Sequence, residues 1–186
     1  MQDAQIVELY LKRDETAIDL TAKKYGAYCE KIAMNILNDL YDAEECVNDT
    51  YLNAWNSIPP NEPSNLATFL GKITRNLSID RYRKKSSTKR EGSEYNLLVE
   101  ECEYLFPSND SVSEEMDFKI LGEYISKFLH EQKEVPRKVF VLRYFYMESI
   151  ANIAKKFFIS EAKAKTMLFR TREKLKVYLT KEGIIK

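Results

Sequence analysis

The chain is 186 residues long, with a mass of 21.8 kDa, and its 29 basic and 29 acidic side chains cancel. At 44% hydrophobic and 31% charged residues it falls among soluble globular proteins and outside the disordered ones. Five glycines and five prolines leave few turns for an all-β fold.

In chain order the hydrophobic pattern is helical almost throughout. A short helix is predicted over 3–12, with Ile6, Leu9 and Tyr10 on one face. A second covers about 15–38, where Tyr25, Tyr28, Ile32 and Ile36 recur at helical spacing. A third is predicted from Asp42, with Asp42 and Glu45 as a capping box and a stripe of Ala43, Cys46, Val47, Thr50, Tyr51, Ala54 and Trp55. Pro59, Pro60 and Pro63 end it, because proline cannot sit in a helix interior. A fourth helix is expected over about 64–85, burying Phe69, Ile73 and Leu77 and turning Lys72, Arg75, Asn76, Asp80 and Arg83 outward. Periodicity is lost over 86–113, which reads as a linker. It resumes near 113–131 with Phe118, Leu121, Ile125 and Leu129, and again from Pro136 to about Tyr146. Two short helical segments close the chain, over 149–157 and 160–179.

No apolar run reaches the roughly 18 residues that a membrane helix needs, and acids interrupt the opening MQDAQIVELYLKRDE too early for a signal peptide. The expectation is a cytoplasmic protein of one to two domains with no membrane insertion. The three cysteines Cys29, Cys46 and Cys102 form no C-x-x-C pair, and His130 is the only histidine. A disulfide framework, a cysteine or multi-histidine metal site and a histidine-based triad are therefore disfavoured. Without a phosphate-binding glycine loop or a nucleophile elbow either, the expectation is a non-enzyme that needs no cofactor and no metal.

The zero net charge hides an alternation. Residues 1–49 carry 5 bases and 11 acids, 72–90 carry 8 bases and 1 acid, 91–123 carry 1 base and 10 acids, and 137–181 carry 12 bases and 3 acids. Two basic blocks separated by an acidic one point to two nucleic-acid contacts joined by a tether, against the alternative of solvated helix faces. The last segment, SIANIAKKFFISEAKAKTMLFRTREKLKVYL, has a helix-turn-helix pattern. Ile150, Ile153 and Ala154 face inward on its first helix, Phe157, Phe158 and Ile159 fill the turn, and Ser160 caps the second. Ala164, Leu168, Thr171 and Leu175 then point inward, while Glu161, Lys163, Lys165, Thr166, Arg170 and Arg172 point outward. That division suits a recognition helix, whose inner stripe packs on its own domain while outer side chains meet bases and phosphates. The competing reading is a basic helical hairpin that binds nothing.

DAEECVNDTYLNAWNSIPPNEPSNLATFLGKITRNLSIDRYRKK resembles the core region of bacterial sigma factors, and PRKVFVLRYFYMESIANIAKKFFISEAKAKTMLFRTREKL resembles their promoter-reading C-terminal region. The stretch between them is too short for the middle domain of housekeeping sigma factors. The chain therefore resembles the extracytoplasmic-function (group IV) type of the sigma-seventy family over about 13–90 and 115–180. The resemblance implies an all-α fold of two helical domains on a flexible acidic linker: region 2 over 1–88, linker over 89–113 and region 4, with its helix-turn-helix, over 114–186.

It also implies partners and roles. Asp42, Glu44, Glu45, Asn48, Asp49, Leu52 and Asn53 would meet the clamp helices of the largest subunit of core RNA polymerase, while another polymerase subunit contacts region 4. Asn56, Ser57, Asn61, Ser64 and Asn65 would line the loop that captures a base flipped from the −10 strand of promoter DNA. Lys72, Arg75, Asn76, Arg81, Arg83, Lys84 and Lys85 would supply the surrounding charge, with Asp80 orienting the arginines. Trp55 and Phe69 suit core packing better than base stacking. Ser160, Glu161, Lys163, Lys165, Thr166, Met167, Arg170 and Arg172 would read the −35 duplex. Here the chain departs from the usual pattern: Ala162 and Lys163 replace Gly-Thr, Met167 an arginine and Phe169 a histidine, which unsettles the −35 preference but not the fold. Met167 would touch a thymine methyl or pack inward. The acidic linker reads equally as a nucleic-acid mimic or a repelling tether, and an anti-sigma factor is an expected partner. The alternatives are a stand-alone helix-turn-helix regulator and a sigma-shaped adaptor without promoter activity, with a small-molecule enzyme last.

Overall fold

The computed structural model describes residues 2–86 and 114–184, and the chain divides into two compact units between residues 99 and 100. Among the described residues there are eight helices and no strand: an all-α protein, as the periodicity predicts. The proposed linker and Cys102 lie outside the described residues, as does the side chain of Phe118.

The first unit holds α1 (Asp3–Leu11), α2 (Thr16–Leu37), α3 (Leu40–Ser57) and α4 (Leu66–Ser86). Helices α2, α3 and α4 pack on one another, and α1 lies on α2. Small side chains let them approach closely. Cys29, Ala33, Ala43, Cys46, Ala54 and Gly71 are all buried. The buried hydroxyls are satisfied without solvent: Thr50 donates to the Cys46 carbonyl at 2.7 Å, Thr74 to that of Leu70 at 2.8 Å and Ser78 to that of Thr74 at 2.7 Å. Thr50 and Thr74 also meet across the α3–α4 seam at 3.1 Å.

Two sequence expectations change here. Helix α3 starts at Leu40, and its cap is Asp39, whose carboxylate accepts from the Asp42 N–H at 3.1 Å. Asp42 is thereby inside the helix, and its carboxylate is released for ion pairing. The buried stripe of α4 is Leu66, Leu70, Thr74 and Ser78, while Phe69, Ile73 and Leu77 flank it half-buried. Polar Thr74 and Ser78 occupy the seam because only short side chains fit between α3 and α4.

Asp3 ties the unit together. Its carboxylate accepts from Lys24 at 2.7 Å, from the Tyr25 hydroxyl, and from the N–H of Leu66 at the start of α4 at 3.2 Å. Burial works to raise the Asp3 pKa, but the bonds from Lys24, Tyr25 and Leu66 together with the Lys24 charge hold it below the usual carboxylate value.

The second unit holds α5 (Glu114–Glu131), α6 (Glu134–Tyr144), α7 (Ile150–Phe157) and α8 (Glu161–Lys181). Pro136 lies in the first turn of α6, where its missing N–H would have had no partner, so that helix begins two residues before the proline. Ile125, Phe128, Leu129, Val139, Phe140, Tyr144, Ile153, Leu168, Leu175 and Leu179 are buried and form the core of this unit. Arg143 is fully enclosed at 2% exposure, and its guanidinium donates to the Glu148 carbonyl at 3.1 Å. The Glu148 carboxylate, also buried, accepts from the Asn152 amide at 2.9 Å. This polar cluster fixes the turn from α6 into α7.

Candidate nucleic-acid interface

The proline-rich loop after α3 hangs from a built base. The Ile58–Pro59 and Pro59–Pro60 peptides are cis. Ile58 is buried as an apolar plug. Arg13, in a left-handed backbone conformation, donates to the Trp55 carbonyl at 2.6 Å and lies over the indole, 5.2 Å from its centre. Trp55 in turn packs on Tyr10 with ring centres 6.1 Å apart, in accord with a packing role. Sequence reasoning missed Arg13, because its reach across 42 residues leaves no local signal. Asn56, Ser64 and Asn65 are exposed, and Ser57 and Asn61 half-buried. The Asn65 side-chain oxygen accepts from the Thr68 N–H at 2.9 Å, so this residue caps α4.

The basic residues of α4 divide between two faces. Lys72, Asn76, Asp80 and Arg83 follow one exposed line at i, i+4, i+8 and i+11, with Arg75 half-buried beside it and Lys84 exposed at the end. Arg81 and Lys85 turn instead to the start of α3. Arg81 pairs with Glu45 and lies 3.8 Å from Asp42, and Lys85 pairs with Asp42 and lies 3.9 Å from Asp39. The Arg81 hydrogen bond holds the Glu45 carboxyl below its usual pKa, and that from Lys85 to Asp42 raises the lysine. Two of the acids that the resemblance would place on a partner surface, Asp42 and Glu45, are thus held by cations that it would place on DNA.

The rest of that α3 face is open. Glu44, Asn48, Leu52 and Asn53 are exposed, with Asp49 half-buried and its carbonyl accepting from Asn53 at 2.8 Å. Tyr41, at 83% exposure, shares the line of Glu45, Asn48 and Leu52. Sequence reasoning passed over it because the helix is expected only from Asp42, two residues after its start at Leu40.

In the second unit α7 and α8 form the helix-turn-helix. Ser149 caps α7, accepting from the Asn152 N–H at 3.1 Å, and Ser160 caps α8, accepting from Lys163 N–H at 3.2 Å. Phe158 ends α7 in the left-handed conformation. That backbone turns its side chain out to 96% exposure rather than into the turn, which corrects the expectation for this residue. Phe157 and Ile159 are half-buried. Ala164, Leu168, Thr171 and Leu175 are buried, as the pattern predicts. Glu161, Lys163, Lys165, Thr166 and Arg170 are exposed and Met167 is half-buried. Arg172 packs back, its guanidinium donating to the Tyr144 hydroxyl of α6.

The Sigma-70 region 2 family model matches residues 22–88, and the Sigma-70, region 4 model matches residues 133–175. Together they account for 67 and 43 residues, 110 of the 186, and the chain belongs to the sigma-70 family. It is a sigma factor serving promoter-specific transcription, and this family acts by binding rather than by catalysis. No curated protein matches the chain. A solved structure described as "Structure of CnrH in complex with the cytosolic domain of CnrY" has 18% identity and a TM-score of 0.43, covering 96% of this chain and 97% of that one. No helix among the described residues is long and apolar enough to cross a membrane.

Proposed function

We propose that this chain is an RNA polymerase specificity subunit of the extracytoplasmic-function type, with region 2 over 1–88, a tether over 89–113 and region 4 over 114–186. The observation that carries this reading is the order and spacing of the two matches: the region 2 match ends at 88 and the region 4 match begins at 133, too short a gap for an intervening domain. The open face of α3, with Glu44, Asn48, Asp49, Leu52 and Asn53, meets the clamp helices of core polymerase. Tyr41 and Leu52 supply apolar anchors amid acids that suit a basic partner. Asp42 and Glu45 serve that face chiefly by fixing α3 against Arg81 and Lys85.

The loop carrying Asn56, Asn61, Ser64 and Asn65 takes the flipped −10 base, and the α4 line of Lys72, Asn76 and Arg83, with Arg75 and Lys84, runs along the strand backbone. Region 4 lays α8 in the −35 major groove. There Lys163, Lys165 and Arg170 meet DNA, with Thr166 and Met167 nearby, while Ser160 caps the helix and Arg172 sets its angle through Tyr144. An anti-sigma factor covering the same surfaces would hold the protein inactive. The test is in vitro transcription with core polymerase from the same cell on a genomic-fragment library. New start sites sharing paired −10 and −35 motifs are expected. No core binding and no new starts, with tight duplex binding by the free protein, would replace this reading with a stand-alone regulator.

A further inference from the structure

The outermost line of α8 is not its most charged one. At 3.6 residues per turn, the direction opposite the buried Ala164, Leu168, Thr171 and Leu175 is held by Ala162, Thr166 and Phe169, followed by Glu173. Ala162 and Thr166 are exposed, and the Phe169 ring is 55% exposed. The Thr166 hydroxyl donates its proton to the Ala162 carbonyl at 2.8 Å, so it is not available to donate to a base, and its methyl is left as the contact group. A methyl, a second methyl and a phenyl ring therefore form an apolar ridge along the first nine residues of the helix. Exposed cations border it on both sides, Lys163 and Arg170 on one and Lys165 on the other.

This arrangement has a natural complement. A major groove admits one helix between two rows of phosphates, and the thymine C5 methyl is the apolar group on its floor. A ring more than half exposed gains little from its own fold. Cations along both edges favour a duplex over an apolar protein surface.

We propose that Phe169, with Ala162 and Thr166, makes −35 recognition by this sigma factor thymine-directed, the ring lying on a thymine methyl while Lys163, Lys165 and Arg170 hold the flanking phosphates. The proposal rests on the −35 reading of α8 given above and adds the chemistry that is read. Phe169 is then a specificity residue that touches the base.

The test uses full-length protein with core polymerase on a promoter selected from the genomic library. Each −35 thymine is replaced in turn by deoxyuridine, which removes the methyl and keeps the pairing. Holoenzyme binding is expected to fall about fourfold at one or more positions, the effect of one buried methyl-sized group. Phe169→Ala should bind the thymine promoter more weakly and no longer distinguish it from the deoxyuridine form, whereas Phe169→Leu should retain part of the difference. The deoxyuridine series leaves the protein untouched, so a folding defect cannot imitate its result. A −35 element without thymine, no loss with deoxyuridine, or an undiminished loss in Phe169→Ala would each overturn the proposal. Scrambling the whole −35 element separates the two levels. If scrambling weakens binding while deoxyuridine does not, only methyl reading fails. If scrambling has no effect, the −35 reading fails and the proposal with it.

Discussion

At the scale of single residues, the first unit depends on what is absent from Gly71. A Cβ at this position would sit 2.5 Å from the Tyr28 hydroxyl oxygen and 3.2 Å from two of its ring carbons. α2 and α4 approach each other across this pair, so the ring must move if a methyl is added. Gly71→Ala is therefore expected to destabilise region 2 by about 1–3 kcal/mol, the usual cost of overpacking, despite the better helix propensity of alanine. Tyr28→Phe removes the nearest atom, so the same glycine substitution should cost less in that background. Urea unfolding of the four proteins in a double-mutant cycle checks this, and additive effects would show that the contact is not what excludes alanine. The cysteines fit the same picture of small buried side chains. Burial pushes both the Cys29 and Cys46 thiols up, away from the thiolate form.

At the scale of helices, Asp3 of α1 is a cap for α4 that lies 63 residues away in sequence. Its carboxyl is held below its ordinary value of 3.8 in the fold. A lowered carboxylate pKa contributes stability that is complete above the unfolded value and is lost as pH falls through the folded one. Asp3→Asn keeps an oxygen for the Leu66 N–H but drops the charge beside Lys24. The wild type should thus unfold at higher urea than Asp3→Asn near pH 6, with the gap shrinking below about pH 4. A gap that does not change over that range would mean that packing, not the charge, anchors α1. No sequence pattern reveals such a bond, and this marks what was legible. Inner stripes of α3 and α8 follow from periodicity because side chains that are apolar at most positions occupy them, with Thr50 and Thr171 as the polar members. The α4 stripe lies one position beyond the one its apolar residues suggest, because its seam is filled by Thr74 and Ser78, whose hydroxyls bond to their own helix and so behave as small core residues. The sequence points to Asp42 as the cap of α3 because Asp39 and Asp42 are equally good cap types three residues apart. Only the backbone decides between them, and its choice leaves Asp42 to Lys85 and Arg81.

At the scale of the whole chain, the equal numbers of acids and bases conceal a separation of charge along the sequence. The sequence pattern singles out the polar outward residues of α8, Glu161, Lys163, Lys165, Thr166, Arg170 and Arg172, and leaves aside Phe169 and Ala162, which share the central line with Thr166. The two sets should fail differently. A lysine on a phosphate binds every sequence alike and releases one counterion, so Lys163→Ala should make the slope of log affinity against log salt shallower by about 0.9 for holoenzyme on promoter DNA. It should do so equally on promoters that differ only within the −35 element. On the function proposed above, the −10 contact would keep region 4 close to its target, and the effective concentration so provided would buffer the loss at moderate salt. The slope is therefore a cleaner reading than affinity at one salt. Filter-binding or fluorescence titrations across a salt series, with wild type and Lys163→Ala on the same promoters, measure it. An unchanged slope would take Lys163 off the phosphates, and a change confined to one −35 sequence would make it a base reader.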